Sequence, residues 1–81
     1  MYPKNIVPLT KMKAGQSGTV KEIIGGFGAF RRLEILGIRC GRSITKVSGM
    51  VMRGPVTVQV GHSQVGIGFG MASKVMVEVH K

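Results

Sequence analysis

Few side chains in this sequence suit acid–base or nucleophilic chemistry at neutral pH, and they are Glu22, Glu34, Glu78, His62, His80 and Cys40. General acid–base catalysis needs such groups in positioned pairs, commonly two carboxylates or a histidine with a partner. Cys40 with one of the histidines would supply a nucleophile and a base, yet no local motif joins them. We therefore expect no enzymatic activity and no catalytic residue.

The sequence also lacks the patterns of a metal or cofactor site. A metal site needs several His, Cys, Asp or Glu side chains that converge, whereas Glu78 and His80 are two residues on one face of a predicted terminal strand. The glycine-rich stretches GGFG and GIGFGM match neither a phosphate-binding loop nor a dinucleotide fingerprint. We expect no metal site and no cofactor, and we interpret Cys40 as a small buried or half-buried turn residue.

Surface charge is the feature that remains. Twelve Lys and Arg against three Glu give a formal net charge of +9. Such a charge favours a negatively charged partner, which could be nucleic acid, an anionic membrane face or an acidic protein surface, or it serves solubility alone. Four arginines, two on the predicted helix and two just beyond it, could form one patch or a solvated face: Arg31, Arg32, Arg39 and Arg42.

The elements that must position these residues are mostly short strands. At 81 residues the chain has room for one core, so we expect one domain over residues 1–81. Residues 1–18 mix turn residues with isolated apolar ones and predict an irregular segment. Period-two alternation predicts strands at 19–24, 43–48, 55–60, 65–69 and 74–79, with a bend or bulge at Gly49. Five short strands and one helix favour a small, partly open β-barrel.

The helix follows GGFG, which we expect to close the first strand. Its predicted apolar stripe consists of Ala29, Phe30, Leu33 and Leu36, at spacings of three and four. Arg31, Arg32 and Ile35 then face away from this stripe. If Gly37 is left-handed, Ile38 lies over Leu33 in a Schellman motif.

Three features that the sequence lacks predict the cellular location of the protein. No stretch approaches the roughly 18 apolar residues of a membrane-spanning helix. The N-terminal MYPKNIVPL lacks the apolar core of an export signal. A lone cysteine excludes an internal disulfide and suits a reducing compartment. We expect a cytoplasmic protein that does not insert into a membrane.

The order of motifs resembles the ferrous iron transport protein A (FeoA) family. The motifs are L-x-x-M-x-x-G-x-x-G-x-V from Leu9, RRLEILGI-x-x-G from Arg31 to Gly41, GPVTVQV, and VGIGFGMASKVMVEV. The most specific positions are Arg32, Leu33, Leu36, Gly37, Ile38 and Gly41, with Gly70 to Val77. Where the family commonly has proline before the last glycine of the turn, this chain has Cys40. The same module also occurs at the C-terminus of iron-dependent repressors.

The resemblance implies an SH3-like β-barrel with a helical insertion. It further implies an accessory role in bacterial ferrous iron uptake, through contact with the cytoplasmic GTP-binding part of the membrane permease FeoB. On this hypothesis the chain is an adaptor that docks through Arg31, Arg32, Ile35, Arg39 and Arg42, with Ile35 as an apolar anchor.

Two alternatives remain open from the residues. A small basic barrel could bind nucleic acid, although Phe30 and Phe69 are predicted in the core, leaving Tyr2 and Phe27 for base stacking. We therefore expect nucleic acid not to be the partner. Direct binding of ferrous iron is the other alternative.

Overall fold

A computed structural model describes residues 3–48 and 54–80 of the chain. Its strands are β1 (Ile6–Pro8), β2 (Ser17–Ile23), β3 (Ser43–Ser48), β4 (Val56–Val60), β5 (Ser63–Ile67) and β6 (Val75–Val79). Its helices are α1 (Gly26–Ile35) and the short α2 (Phe69–Ala72), with a 3-10 turn at Leu9–Lys11. None of the helices described is long and apolar enough to cross a membrane.

The strands form one antiparallel sheet in the order β1-β6-β2-β3-β4-β5. The sheet curls so that residues from its middle and from both ends share one buried cluster, in which Leu9, Val58, Ile67 and Val77 are each at most 2% exposed. β1 and β5 stand at the two ends of the strand order and do not pair with each other. This partly open, mainly β architecture agrees with the fold predicted from the sequence.

The N-terminal segment differs from the prediction. Residues 1–18, predicted to be irregular, contain β1, the 3-10 turn and the start of β2, so the sheet has six strands and not five. β1 is only three residues long and ends in a proline, so it is too short to show the alternation of apolar and polar residues that predicts a strand. It forms because β6, far along the chain, offers an edge on which Ile6 pairs with Glu78.

The region around GIGFGM also differs. The strand predicted to run to Phe69 ends at Ile67, and Phe69 begins α2, where it is half-buried. In α2 the amide of Ala72 donates to the carbonyl of Gly68, and just after it the amide of Lys74 donates to the carbonyl of Met71. A four-residue helix is too short to show a hydrophobic period, and this is why the sequence pattern suggested a continuous strand.

β4 follows the predicted alternation, whereas β2 is irregular between Val20 and Glu22, so that Ile23 packs against the core and Ile24 is 43% exposed. Val56, Val58 and Val60 point into the core, while the residues between them are half-buried. In β6, Val75 and Val77 are buried as expected, but Met76 on the opposite face is also buried, at 7% exposed. The ladder of β3 and β4 is irregular between Lys46 and Ser48. The bulge predicted at Gly49 falls outside the described residues.

Candidate docking surface on helix α1

The start of α1 lies earlier in the sequence than predicted. The helix begins at Gly26, directly after Gly25, which adopts a left-handed conformation with φ 106°. GGFG therefore does not close the preceding strand but forms the first turn of the helix. This earlier start places Phe27 on the helix. The sequence pattern had instead assigned Phe27 to the stretch that closes the preceding strand.

The end of α1 has the Schellman geometry expected of LGI. Gly37 has φ 88°. The amide of Ile38 donates to the carbonyl of Leu33 at 2.9 Å, and the amide of Gly37 donates to Glu34 at 2.9 Å. Leu33 and Ile38 are both fully buried. Leu36, predicted on the apolar stripe, is instead the C-cap and is 37% exposed, because the helix has already ended there.

The two faces of α1 differ sharply in burial. Ala29 and Leu33 are buried against the sheet, with Phe30 half-buried beside them. On the outer face, Phe27 is 72% and Ile35 is 79% exposed. Arg31 lies midway between them, and because the three residues are spaced by four they share about 80° of the helix surface. We call Phe27, Arg31 and Ile35 the outer stripe.

Arg31 is held within the outer stripe by an aromatic contact. Its guanidinium carbon lies 5.8 Å from the centroid of the Phe27 ring, within the range of a cation–π interaction. Arg31 and its neighbour Arg32 are exposed. Over residues 3–48 and 54–80, neither arginine forms an ion pair. The outer face of α1 therefore presents two apolar side chains with positive charge that is free to pair with a partner.

The other two arginines lie in the turn beyond the helix, and Arg42 is directed to a different surface. Arg39 and Arg42 close a turn in which the amide of Arg42 donates to Arg39. That turn is tied to β2, since Gly41 donates to Val20 and Val20 donates to Arg42. The Arg42 guanidinium lies against Gly61, in the turn between β4 and β5, and borders a shallow groove with Thr45 and Gln59. The predicted patch is thus not continuous, because Arg31 and Arg32 lie on α1 whereas Arg42 lies at this groove.

Cys40 sits at the tip of the same turn and is exposed. The expectation of a buried or half-buried residue was wrong. The backbone atoms of Gly41 and Arg42, rather than the side chain of Cys40, make the contacts that hold the turn on β2.

Glu78 and His80, the pair considered for metal binding, are engaged with other side chains. The Glu78 carboxylate accepts hydrogen bonds from Lys21 at 3.2 Å and from Asn5 at 3.1 Å. The bond from Lys21, followed by that from Asn5, lowers the pKa of Glu78 below its ordinary value. The His80 ring nitrogen lies 3.0 Å from the hydroxyl of Thr19. Within the described residues, no three His, Cys, Asp or Glu side chains converge.

Lys46 is a buried polar residue that the sequence reasoning missed. It is 3% exposed, and its ammonium group donates to the carbonyl oxygens of Met12 at 2.6 Å and Thr10 at 3.2 Å. Burial lowers the pKa of Lys46. The signal was present in β3, where Lys46 shares the inward face with Ile44 at period two. Its role is structural, because it ties the segment around the 3-10 turn to the sheet.

Comparison with known proteins now identifies the family. The model of the FeoA domain matches residues 7–79. This chain belongs to the FeoA domain family. A protein of Methanocaldococcus jannaschii, named as a candidate Fe(2+) transport protein A, is 38% identical over 71 residues, which are 88% of this chain and 84% of that protein.

Solved structures agree with this membership. A crystal structure of an iron uptake regulatory protein, FeoA, superposes with a TM-score of 0.85 at 36% identity, over 93% of this chain and 97% of that one. A manganese-dependent transcriptional repressor superposes with a TM-score of 0.85 at 20% identity, over 99% of this chain but 44% of the repressor. At that identity the likeness to the repressor concerns the SH3-like fold alone.

The two most specific FeoA motifs can now be placed in the fold. The R-L-x-x-L-G-I-x-x-G motif comprises the end of α1, its left-handed cap and the turn tied to β2. The G-M-A-S-K-V-M-V motif comprises α2 and the first part of β6. Apart from the exposed Arg32, both motifs build the scaffold, whereas the outer stripe lies on the solvent side of α1. The proteins described above are named for iron transport or for regulation, and none is named as an enzyme.

Proposed function

We propose that this FeoA-family protein is a cytoplasmic accessory factor for ferrous iron uptake, and that it docks on the cytoplasmic GTPase part of the permease FeoB through the outer face of α1. The iron transport name of a 38% identical relative supports the process. The single observation that carries the docking surface is the outer stripe, in which Phe27 and Ile35 are 72% and 79% exposed on either side of Arg31.

The composition of this surface is that of a protein interface. Aromatic residues and arginine are enriched at the centres of interfaces, where a few anchors supply most of the binding free energy. Phe27 and Ile35 provide apolar anchors. Arg31 and Arg32 are free to pair with carboxylates, and a planar guanidinium suits such pairing better than an ammonium group does. The chain's net charge of +9 would also speed its approach to an acidic partner surface.

The scaffold holds this surface in place before binding. The inner face of α1 is anchored by the fully buried Leu33, and the C-terminus of the helix is closed by Gly37 and Ile38. A preformed helix loses little conformational entropy when a partner docks on it. A cytoplasmic location is part of the same proposal, because the GTPase part lies there and an exposed free thiol suits a reducing compartment.

The test is a binding titration of the purified cytoplasmic domain of the permease with wild-type and variant chains. Ile35→Ser and Arg31→Glu each change the outer stripe, and we expect each to weaken binding by about tenfold or more, as for truncated anchors at interface centres. Matched controls are Val47→Ser, at a residue 38% exposed on β3, and Lys11→Glu in the 3-10 turn. We expect both controls to bind as wild type.

All four variants should retain the wild-type far-ultraviolet spectrum, because each change lies at an exposed position. Undiminished binding by both stripe variants would disprove the docking surface. Loss of binding in the controls as well would indicate a diffuse electrostatic attraction in place of a defined interface. Absence of binding by the wild-type chain in either nucleotide state of the GTPase would disprove the partner.

A further inference from the structure

Charge is distributed very unevenly along this chain. No Lys, Arg, Asp or Glu occurs in residues 54–73, so all twelve basic residues and all three glutamates lie outside that segment. The segment contains β4, β5 and α2, so these elements carry no charged side chain of their own on a chain of net charge +9, although the guanidinium of Arg42 lies beside them at Gly61. A surface that attracts an acidic partner would not be expected here.

Among the strands that the structure describes, β5 is also an edge of the sheet. It pairs with β4 through the register Val58 to Val65 and Gln59 to Gln64, and it is the last strand in the order. The opposite edge, β1, has only three residues and ends in Pro8. A strand this short that ends in proline offers few backbone groups to a further strand. β5 has neither a proline nor a charged residue, which are the usual protections of an exposed edge.

The hairpin turn determines which backbone groups of β5 point outward. β4 and β5 are joined by Gly61 and His62, and Gly61 has φ 62°, as in a two-residue hairpin turn. In such a hairpin the residues flanking the turn, Val60 and Ser63, exchange both hydrogen bonds, and bonded and non-bonded pairs then alternate. The amides and carbonyls of Gln64 and Gly66 therefore face away from β4. Across the part of the chain that the structure describes, these two residues have no other backbone partner.

This edge is complementary to itself. If two copies of β5 lie antiparallel about a two-fold axis at Val65, Gln64 of each copy faces Gly66 of the other. The outward amide and carbonyl of Gln64 then meet those of Gly66 in the other copy. The axis generates two such Gln64–Gly66 pairs, which would form about four main-chain hydrogen bonds. Gln64 and Gly66 are exposed, and no atom lies within 4 Å of a β-carbon built at Gly66.

We infer that β5 is a self-association edge, and that two copies of this chain pair through it into a continuous antiparallel sheet. A second copy fits better than an acidic partner because β5 itself carries no charged side chain, so two like-charged chains bring none together at the paired residues. Pairing through one short strand buries little area, so the dimer is weak and concentration-dependent. This inference does not depend on the docking surface of α1.

The test combines sedimentation with amide hydrogen exchange measured by NMR on the full chain, with a reductant present so that Cys40 cannot cross-link copies. We expect a monomer at about 10 µM and a substantial dimer fraction at about 1 mM. The amides of Gln64 and Gly66 should become protected only at the higher concentration, whereas those of Ser63 and Val65 should be protected at both. Added salt should favour the dimer, because it screens repulsion between like-charged chains.

Two variants with matched controls locate the contact. Gln64→Lys puts one positive charge on each side of the axis, and Gly66→Pro removes an outward amide at an edge position where proline is tolerated in the monomer. We expect each to raise the dissociation constant by at least tenfold. The controls, Gly70→Lys and Gly68→Pro, make the same changes outside β5. Gly68 has φ −60°, which proline adopts. We expect both controls to dimerise as wild type.

Three results would overturn the inference. One is a monomer at about 1 mM whose Gln64 and Gly66 amides exchange freely. Another is a dimer that both edge variants form as well as the controls do. The third is protection of these amides only after the cytoplasmic domain of the permease is added, which would assign the edge to that partner.

Discussion

The ammonium group of Lys46 donates a 2.6 Å hydrogen bond to the carbonyl oxygen of Met12, a residue 34 positions earlier in the chain. A second bond to the carbonyl of Thr10 at 3.2 Å makes this lysine a clamp between β3 and the segment that leads out of β1. The clamp helps to hold the segment between β1 and β2 on the sheet. It also places a titratable group in a core that is otherwise apolar.

Replacing Lys46 with methionine should destabilise the fold. The methionine fills a similar volume but leaves the carbonyl of the buried Met12 without its donor, at a cost of about 1–3 kcal/mol. Urea unfolding of the Lys46→Met chain measures this loss directly. The matched control is Lys11→Met at an exposed position, which should stay within about 0.5 kcal/mol of wild type. Equal stability of the two variants would show that the clamp contributes nothing.

Alkaline pH should reduce the cost of burying Lys46. Burial lowers its pKa in the folded chain, while the unfolded chain keeps the ordinary value of 10.5. Between these values the unfolded state binds more protons, so the stability of the folded state rises with pH. The Lys11→Met and Lys46→Met chains have each lost one lysine, but only the first keeps the buried Lys46. We therefore expect the free energy of unfolding of Lys11→Met minus that of Lys46→Met to increase as pH rises towards 10.5. A difference that is flat or falls with pH would contradict this sign.

Two glycines, one within α1 and one just beyond its C-cap, should respond in opposite directions to alanine. Gly37→Ala forces a side chain into a conformation with φ 88° and should cost about 1 kcal/mol or more. Gly28 lies within the helix with open space around it, so Gly28→Ala should stabilise the chain by about 0.5–1 kcal/mol. Thermal melting of both variants measures the effect. An unchanged melting temperature for Gly37→Ala would be inconsistent with the Schellman cap.

The sequence predicted those elements whose pattern is local. The alternation of β4 and the LGI motif at the end of α1 could be identified because periodicity and turn chemistry act over a few residues. β1 could not, since three residues ending in Pro8 become a strand only when β6 pairs with them. The burial of Lys46 likewise depends on carbonyls supplied by a distant segment.

The docking surface was only partly predictable for the same reason. Ile35 was expected on the outer face from helical spacing, and it is exposed there. Phe27 was missed because the glycines around it suggested a loop, and its position depends on how early the helix starts after Gly25. The separation of Arg42 from Arg31 reflects the tie between the turn and β2, which no local pattern contains.

The thiol of Cys40 should be freely reactive in the folded protein. It is exposed at the tip of a turn whose structural contacts are made by neighbouring backbone atoms. A disulfide reagent such as DTNB should therefore modify one thiol per chain without denaturant, at a rate within a few-fold of that in urea. Because the side chain supports no contact that holds the turn, Cys40→Ser should leave stability within about 0.5 kcal/mol of wild type. Slow labelling that accelerates strongly in urea would indicate a protected thiol.

Acid should remove the contribution of Glu78. The hydrogen bonds from Lys21 and Asn5 lower its pKa in the folded chain below its ordinary value of 4.5. The unfolded state then binds more protons between these two values, so the stabilisation is complete above about pH 4.5 and is lost as pH falls through the lowered pKa. The effect should be small because Lys21 and Glu78 are 47% and 39% exposed and water screens the pair.

Glu78→Gln retains an acceptor for Asn5 but does not titrate, so the difference in stability between wild type and this variant should shrink on acidification. Salt should shrink it as well at neutral pH. A difference that grows below pH 4 would mean that the carboxylate is not stabilised in the folded chain.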